Sequence, residues 1–167
     1  MPDRSRISIF PVIIHGSDQW KRLDIDWDSI LSEITRVVLA EFDFDRDVEI
    51  NIKLTDDSEI QILNREFRGK DKPTNVLSFP GMTDEDLDYL PDHAHFHLGD
   101  IALAFETIQH EAEDQEKTLQ NHVLHLTVHG LLHLLGFDHE TDDEAQEMET
   151  LEVDILAKQS IPNPYKE

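Results

Sequence analysis

The sequence predicts a single α+β domain: about four strands in a mixed sheet, with helices packed on it. Three observations carry that prediction. Four short segments, 7–14, 48–54, 75–79 and 98–105, are rich in β-branched and other apolar residues and read as strands. Three longer segments, 26–42, 118–135 and 142–158, repeat apolar residues at helical spacing. No repeat and no long linker divides the 167 residues, which suffice for one domain with a real core. Residues 1–167 are therefore read as one domain, with a loose tail at 159–167.

The elements follow in order. ISIFPVII (7–14) is the first strand, and Pro11 suggests an edge position or a bulge. Residues 26–42 place Ile30, Ile34, Val37, Val38 and Ala40 at helical spacing. VEINIKL (48–54) alternates apolar and polar, as a half-buried strand does. Thr55 is read as an N-cap, with Asp56, Asp57 and Glu59 at the positive end of a helix running to about Phe67. Residues 69–74 form a loop, NVLSF (75–79) a short strand, and 81–97 a polar connection. A strand at 98–105 leads into a short helix at 106–114. In the helix 118–135, Leu124, Val128, Leu131, Leu132 and Leu135 supply buried surface. His122, His125, His129 and His133 share the opposite face. The last helix, 142–158, is acidic and amphipathic, with Met148, Leu151, Ile155 and Leu156 on one side.

Composition narrows the setting. There is no cysteine, so histidine and carboxylate must supply any metal ligands. No apolar run approaches the roughly 20 residues of a membrane helix, and the N-terminus lacks the layout of a secretory signal. The expectation is a soluble cytoplasmic protein with no membrane partner. The chain carries 37 acidic and 14 basic residues, a formal net charge of −23. Eleven of the 14 cations lie in residues 1–72, and Arg65, Arg68, Lys70 and Lys72 form the one dense basic cluster. The acidity reads either as a solvated surface or as adaptation to a salty cytoplasm.

The run HGLLHLLGFDH (129–139) carries the chemistry. His129 and His133 are i and i+4, one turn apart on one helix face. Gly136 can stop the helix in a left-handed turn and let His139 swing in as a third ligand. Three imidazoles leave a fourth position of a tetrahedral zinc for water, whose pKa falls to about 7 there. The donor set also suits copper, nickel or iron. The spacing makes this a zincin-like histidine helix, matching the metzincin pattern H-E-x-x-H-x-x-G-x-x-H except at its second position. Gly130 stands where those peptidases carry their glutamate base. The metal geometry is kept and the peptidase base is missing. His125 lies about 12 Å from His133 along the helix axis, so His122 and His125 are read as supporting or surface groups. His93, His95 and His97 in HAHFH are read as polar loop residues.

The run resembles the signature of the YbeY family, bacterial endoribonucleases of rRNA maturation. RGKDKPTNVLSFP (68–80) resembles a second family motif, and LGDI (98–101) and LTDD (54–57) add shorter matches. The resemblance implies a metal-dependent, single-strand-specific endoribonuclease acting on the 3′ end of small-subunit rRNA and in ribosome quality control. It implies one Zn2+ per chain on His129, His133 and His139, and a catalytic arginine at Arg68. Its partners would be single-stranded rRNA, the small ribosomal subunit and assembly factors; no DNA is expected. Arginine suits the task, because its planar fork of donors can stabilise charge developing on phosphate oxygens. Lys70 and Lys72 would hold flanking backbone or stay solvated. Asp138 could orient a ligand imidazole, handle a proton, or cap the loop. Asp100, in the LGDI segment, is a further candidate for the site. Gly130 would leave room beside the metal for a bulky RNA backbone. Two other readings compete: an assembly factor whose metal is mainly structural, and a metallopeptidase, which the missing glutamate disfavours.

Overall fold

Strict alternation builds the centre of the sheet. In β2 (Val48–Thr55), Val48, Ile50, Ile52 and Leu54 are fully buried, while Glu49, Asn51 and Lys53 point to the other face. The computed structural model describes residues 7–91 and 94–165. β1 (Ile9–His15) runs parallel to one side of β2, and β4 (Phe96–Ala104) parallel to the other. β3 (Val76–Pro80) closes the sheet antiparallel to β4, giving the order β1-β2-β4-β3. This is the mixed four-stranded sheet that the sequence predicts. Pro11 sits on the edge strand β1, where a missing backbone N–H is tolerated.

The two faces of the sheet bury different amounts. On one, Ile50, Ile52, Leu54, Ile101 and Leu103 join the main core. It is completed by α1 (Trp27–Leu39), α4 (Phe105–Asp114), α5 (Leu119–Leu134) and α6 (Asp142–Lys158). On the other, Ala102, Ala104 and Leu77 meet Ile60 of α2 (Asp57–Arg68) in a smaller cluster. α5 is the hub of the main core. It is buried from His122 to Val128 and again at Gly130–Leu132, far beyond a single apolar stripe. Packing against α1, α4, α6, β3 and β4 leaves it few solvent-facing positions.

Local chemistry shifts several boundaries. α2 is capped by Asp56, not Thr55: the Asp56 carboxylate accepts from Glu59 N (2.9 Å), while the Thr55 hydroxyl bonds the Glu59 carboxylate (2.9 Å). A 3-10 turn over Asp18–Arg22 seats Trp20, fully buried, with its indole N–H on Thr55 O (2.9 Å). The polar connection 81–97 contains a single helical turn, α3 (Asp84–Leu87), entered by a capping box between Thr83 and Asp86. It also contains the first two residues of β4.

The tail 159–167, expected to be loose, is tied down as far as Tyr165. α6 ends in a Schellman turn: Ile161 N donates to Leu156 O and Ser160 N to Ala157 O, both at 3.0 Å, with Ser160 left-handed at φ +60°. Ile161 then enters the core, and the Lys117 ammonium holds Pro164 O (3.1 Å). A left-handed non-glycine residue costs about 1–2 kcal/mol, against about 0.5–1 kcal/mol for glycine's extra chain entropy. Ser160→Gly is therefore expected to raise stability by about 0.5 kcal/mol, and Ser160→Val to lower it. Thermal unfolding of the two variants checks this, and the reverse order would contradict the assigned turn.

Candidate metal centre

Two elements bring the three histidines together. α5 presents His129 and His133 one turn apart. At its end Phe137 N donates to Leu132 O and Gly136 N to His133 O (both 3.0 Å), with Gly136 at φ +101°. The Phe137 ring packs edge-on to Phe42 (5.9 Å between centroids) and anchors the loop that returns His139. One ligand atom from each of the three residues lies within 4.8 Å of the others. The Nε2 atoms of His129 and His133 are 3.1 Å apart. Two nitrogens bound to one tetrahedral zinc would be about 3.3 Å apart. The donor set therefore fits a transition metal, and it is the one such cluster among the described residues. Burial pushes the His133 imidazole below its usual pKa, and His129 and His139 push the same way. That favours the neutral form in which imidazole binds metal.

A buried carboxylate stands behind this set. Glu152 of α6 is 0% exposed, and its Oε1 accepts from His129 Nδ1 at 2.5 Å. Its Oε2 accepts from the Tyr165 hydroxyl and lies 3.3 Å from His125 Nε2. Burial alone would raise its pKa, but the bonds from His125, His129 and Tyr165 prevail and lower it to about 2. The sequence reading missed Glu152 among the many acids of α6. A signal was there: it lies four residues after Met148 and four before Leu156, on the apolar side. Tyr165 had no such signal.

Arg68 meets the histidine helix through Ser78. Arg68 Nη2 donates to Ser78 O (3.0 Å), and the Ser78 hydroxyl donates to Gly130 O (3.1 Å). Gly130 makes this possible. A Cβ there would stand 3.0 Å from Ser78 Oγ and 3.2 Å from Ile101 Cδ1. The space beside Gly130 is thus filled by the sheet, and the expectation that it leaves room for an RNA backbone is corrected.

Arg68, Lys70, Lys72, Asp138 and the three histidines all line one open cleft of about 1070 Å³. That is at the upper end of the range for small-molecule pockets, about 300–1,000 Å³, and suits an extended chain. Asn64, itself buried, pins the lysine loop through its amide on Lys72 O (2.9 Å). Asp138 accepts from the backbone N–H of His139 (2.7 Å), a loop-capping bond. Asp100 is not brought to the cleft. It shares its sheet face with Ala102, opposite Ile101 and α5, and accepts from the Asn51 amide (2.8 Å) with His97 Nε2 3.4 Å away. His95 stacks on Phe10 (4.8 Å) and meets Glu49 (2.9 Å), and His93 lies outside the described residues.

His125 and His122 are interior groups. His125 joins Glu152, as above. His122 is 3% exposed, with Nε2 2.9 Å from Glu111 Oε1, and Glu111 also takes the Asn75 amide (3.0 Å). Burial lowers the His122 pKa despite the opposing pull of Glu111.

The fold and the site define a class. This is an α+β domain with a histidine-only set at a helix end that could hold a metal ion, opening on a cleft with Arg68, Lys70 and Lys72, without a peptidase glutamate. A family model described as endoribonuclease YbeY matches residues 14–160. The endoribonuclease YbeY of Paramagnetospirillum magneticum is 49% identical over 149 residues, 89% of this chain and 90% of that protein. That of Bradyrhizobium diazoefficiens is 45% identical over 150 residues, 89% of this chain and 81% of the relative. That of Nitrobacter winogradskyi is 56% identical over 119 residues, 71% of this chain and 62% of the relative. The chain belongs to the YbeY family. In fold it matches the solution structure of TM1509 from Thermotoga maritima, with a TM-score of 0.56, 24% identity, and coverage of 95% of this chain and 97% of that one.

Two outcomes follow from this geometry. Gly130→Glu, which restores the metzincin letter, must push a charged side chain into Ser78 and Ile101. It should cost about 3 kcal/mol or more, by overpacking and an unpaired buried charge, and confer no peptidase activity. Chemical denaturation and a peptide-cleavage assay check both parts. The second concerns pH. With its folded pKa depressed, His122 adds stability above its unfolded pKa of about 6.5, lost as pH falls through the folded value. His122→Gln should flatten the stability slope between pH 7 and 5 relative to wild type, read by denaturation at each pH.

Proposed function

We propose that this protein is a zinc-dependent endoribonuclease that cuts single-stranded RNA. Its work would be maturing the 3′ end of small-subunit rRNA and ribosome quality control, in the cytoplasm with the small subunit and its assembly factors. One observation carries the reading: three of the four cations in the one dense basic cluster of an acidic chain, Arg68, Lys70 and Lys72, share a cleft with the three-histidine set. The relatives' common name, endoribonuclease, supports the reaction class. Among the described residues no helix is long and apolar enough to cross a membrane.

His129, His133 and His139 would hold the ion, which when bound supplies Lewis acidity and a water of lowered pKa. The rest falls to the chain. Arg68, with Nη2 held by Ser78 O, keeps its other N–H groups for phosphate oxygens, where negative charge grows in the transition state. Because that bond fixes the guanidinium beforehand, less ordering is left for the moment of reaction. Lys70 and Lys72 bind the flanking backbone. Asp138 keeps one carboxylate oxygen free of the loop bond and can take up a proton at the cleft wall. The glutamate that would serve a peptidase has no counterpart at Gly130.

Metal analysis coupled to cleavage of single-stranded RNA tests the reading. His133→Ala should lose both metal and cleavage. Arg68→Ala should keep the metal and lose about 10²-fold or more in rate, the scale of removing one transition-state donor. Chelation should abolish cleavage and zinc restore it. Unchanged cleavage in both variants would assign the activity to a contaminating nuclease. Normal rRNA maturation by an Arg68→Ala protein without nuclease activity would favour an assembly factor, a role that the −23 charge suits. A 2′,3′-cyclic phosphate product would identify the ribose 2′-hydroxyl as nucleophile.

A further inference from the structure

We propose that the C-terminal segment is an arm of the metal site, in which Tyr165 holds the buried Glu152 carboxylate where it orients His129. This rests on His129 being a metal ligand.

The argument is one of donors and acceptors. An ionised carboxylate accepts only, and a fully buried one must find donors within the protein. Glu152 draws them from two places: His129 Nδ1 (2.5 Å) and His125 Nε2 (3.3 Å) on α5, and the Tyr165 hydroxyl from the tail. The bond from His129 decides its tautomer. With Nδ1–H given to Oε1, only Nε2 keeps a lone pair, and Nε2 is the atom facing His133 Nε2 at 3.1 Å. Tyr165 bonds the other oxygen, Oε2, so the carboxylate is held at both ends and cannot rotate away from His129.

The tail is built to deliver that hydroxyl. The left-handed turn at Ser160 reverses the chain after α6, and Ile161 anchors it in the core. The Lys117 ammonium on Pro164 O (3.1 Å) and the Asn163 side chain on Tyr165 N (2.8 Å) fix the last step. The Tyr165 ring stands edge-on to His125, centroids 5.4 Å apart, and lines the cleft. Its hydroxyl is also 3.2 Å from His125 Nε2, which closes the group. Glu152 and Tyr165 are positioning residues: they act on the ion through His129.

The test uses the full chain. Zinc affinity is measured by competition with a chromogenic chelator for wild type, Tyr165→Phe, Glu152→Gln and His129→Ala, without RNA. The tautomer of His129 is read in the metal-free proteins from imidazole 15N chemical shifts. Second partners of metal ligands typically contribute about 10–100-fold in affinity. Glu152→Gln should fall in that range, and Tyr165→Phe should weaken zinc by about 10-fold and mix the tautomers of His129. Wild-type affinity with an unmixed tautomer in Tyr165→Phe would overturn the role of the tail. Should Glu152→Gln fail to fold, Tyr165→Phe, which removes one oxygen from a half-exposed ring, decides the matter alone. Unchanged zinc binding in His129→Ala would instead defeat the metal reading beneath the proposal, and so tells the two failures apart.

Discussion

The close approach of α5 to the sheet at Gly130 is the constraint on which the site depends. A Cβ there would crowd Ser78 Oγ at 3.0 Å and Ile101 Cδ1 at 3.2 Å, so both side chains would have to shift. Without one, Ser78 sends its hydroxyl to Gly130 O and offers its own carbonyl to Arg68. One buried residue on β3 thereby ties the end of α2, with its arginine, to the helix that carries two of the three histidines. Both bonds run from a side chain to a backbone carbonyl, so each anchors at one end on the main chain of β3 or α5. The glycine that removes a peptidase's base is thus the same one that lets helix and strand meet. Its meaning is mechanical as well as chemical.

A second constraint is electrostatic. An isolated carboxylate at zero exposure would be expensive, and Glu152 is tolerated because His125, His129 and Tyr165 all turn toward it. The arrangement has a cost and a return. Three elements, α5, α6 and the tail, must come together before the charge is satisfied. Once formed, it leaves His129 one way to present a lone pair to the cleft. Such fixed ligand geometry is what a metal site needs, since a loosely held imidazole loses affinity to its own disorder.

Charge distribution separates this site from the rest of the molecule. The chain as a whole repels a polyanion, yet Arg68, Lys70 and Lys72 stand on one wall of the cleft. At physiological ionic strength charges are screened beyond about 8 Å. Phosphates inside the cleft therefore feel the local cations far more than the distant acids. A divalent ion on the histidines would add to that local field. The net charge then governs long-range approach, and the cleft governs binding.

Local spacing made much of this legible in advance. The i, i+4 histidines, the glycine stop and the returning third histidine are features of about eleven consecutive residues: the helical period pairs His129 with His133, and the turn at Gly136 lets His139 return. The same holds for the alternation of β2 and the apolar stripe of α6. The boundary of α2 moved by one residue because Asp56 and Thr55 are both competent caps, and neighbouring contacts chose between them. Residues that act across long separations were not legible. Asp100 carries a family-like motif, but strand parity turns it away from α5, and parity becomes informative only when the face of the sheet is known. Ser78 and Gly130 are 52 residues apart, and His129 and Glu152 are 23 apart. Nothing in either neighbourhood encodes its partner. Periodicity fixes which side chains share a face, and packing alone determines which faces meet. For this protein the first placed His129 and His133 on one face, and the second anchored the loop that returns His139 and supplied the carboxylate that aims His129.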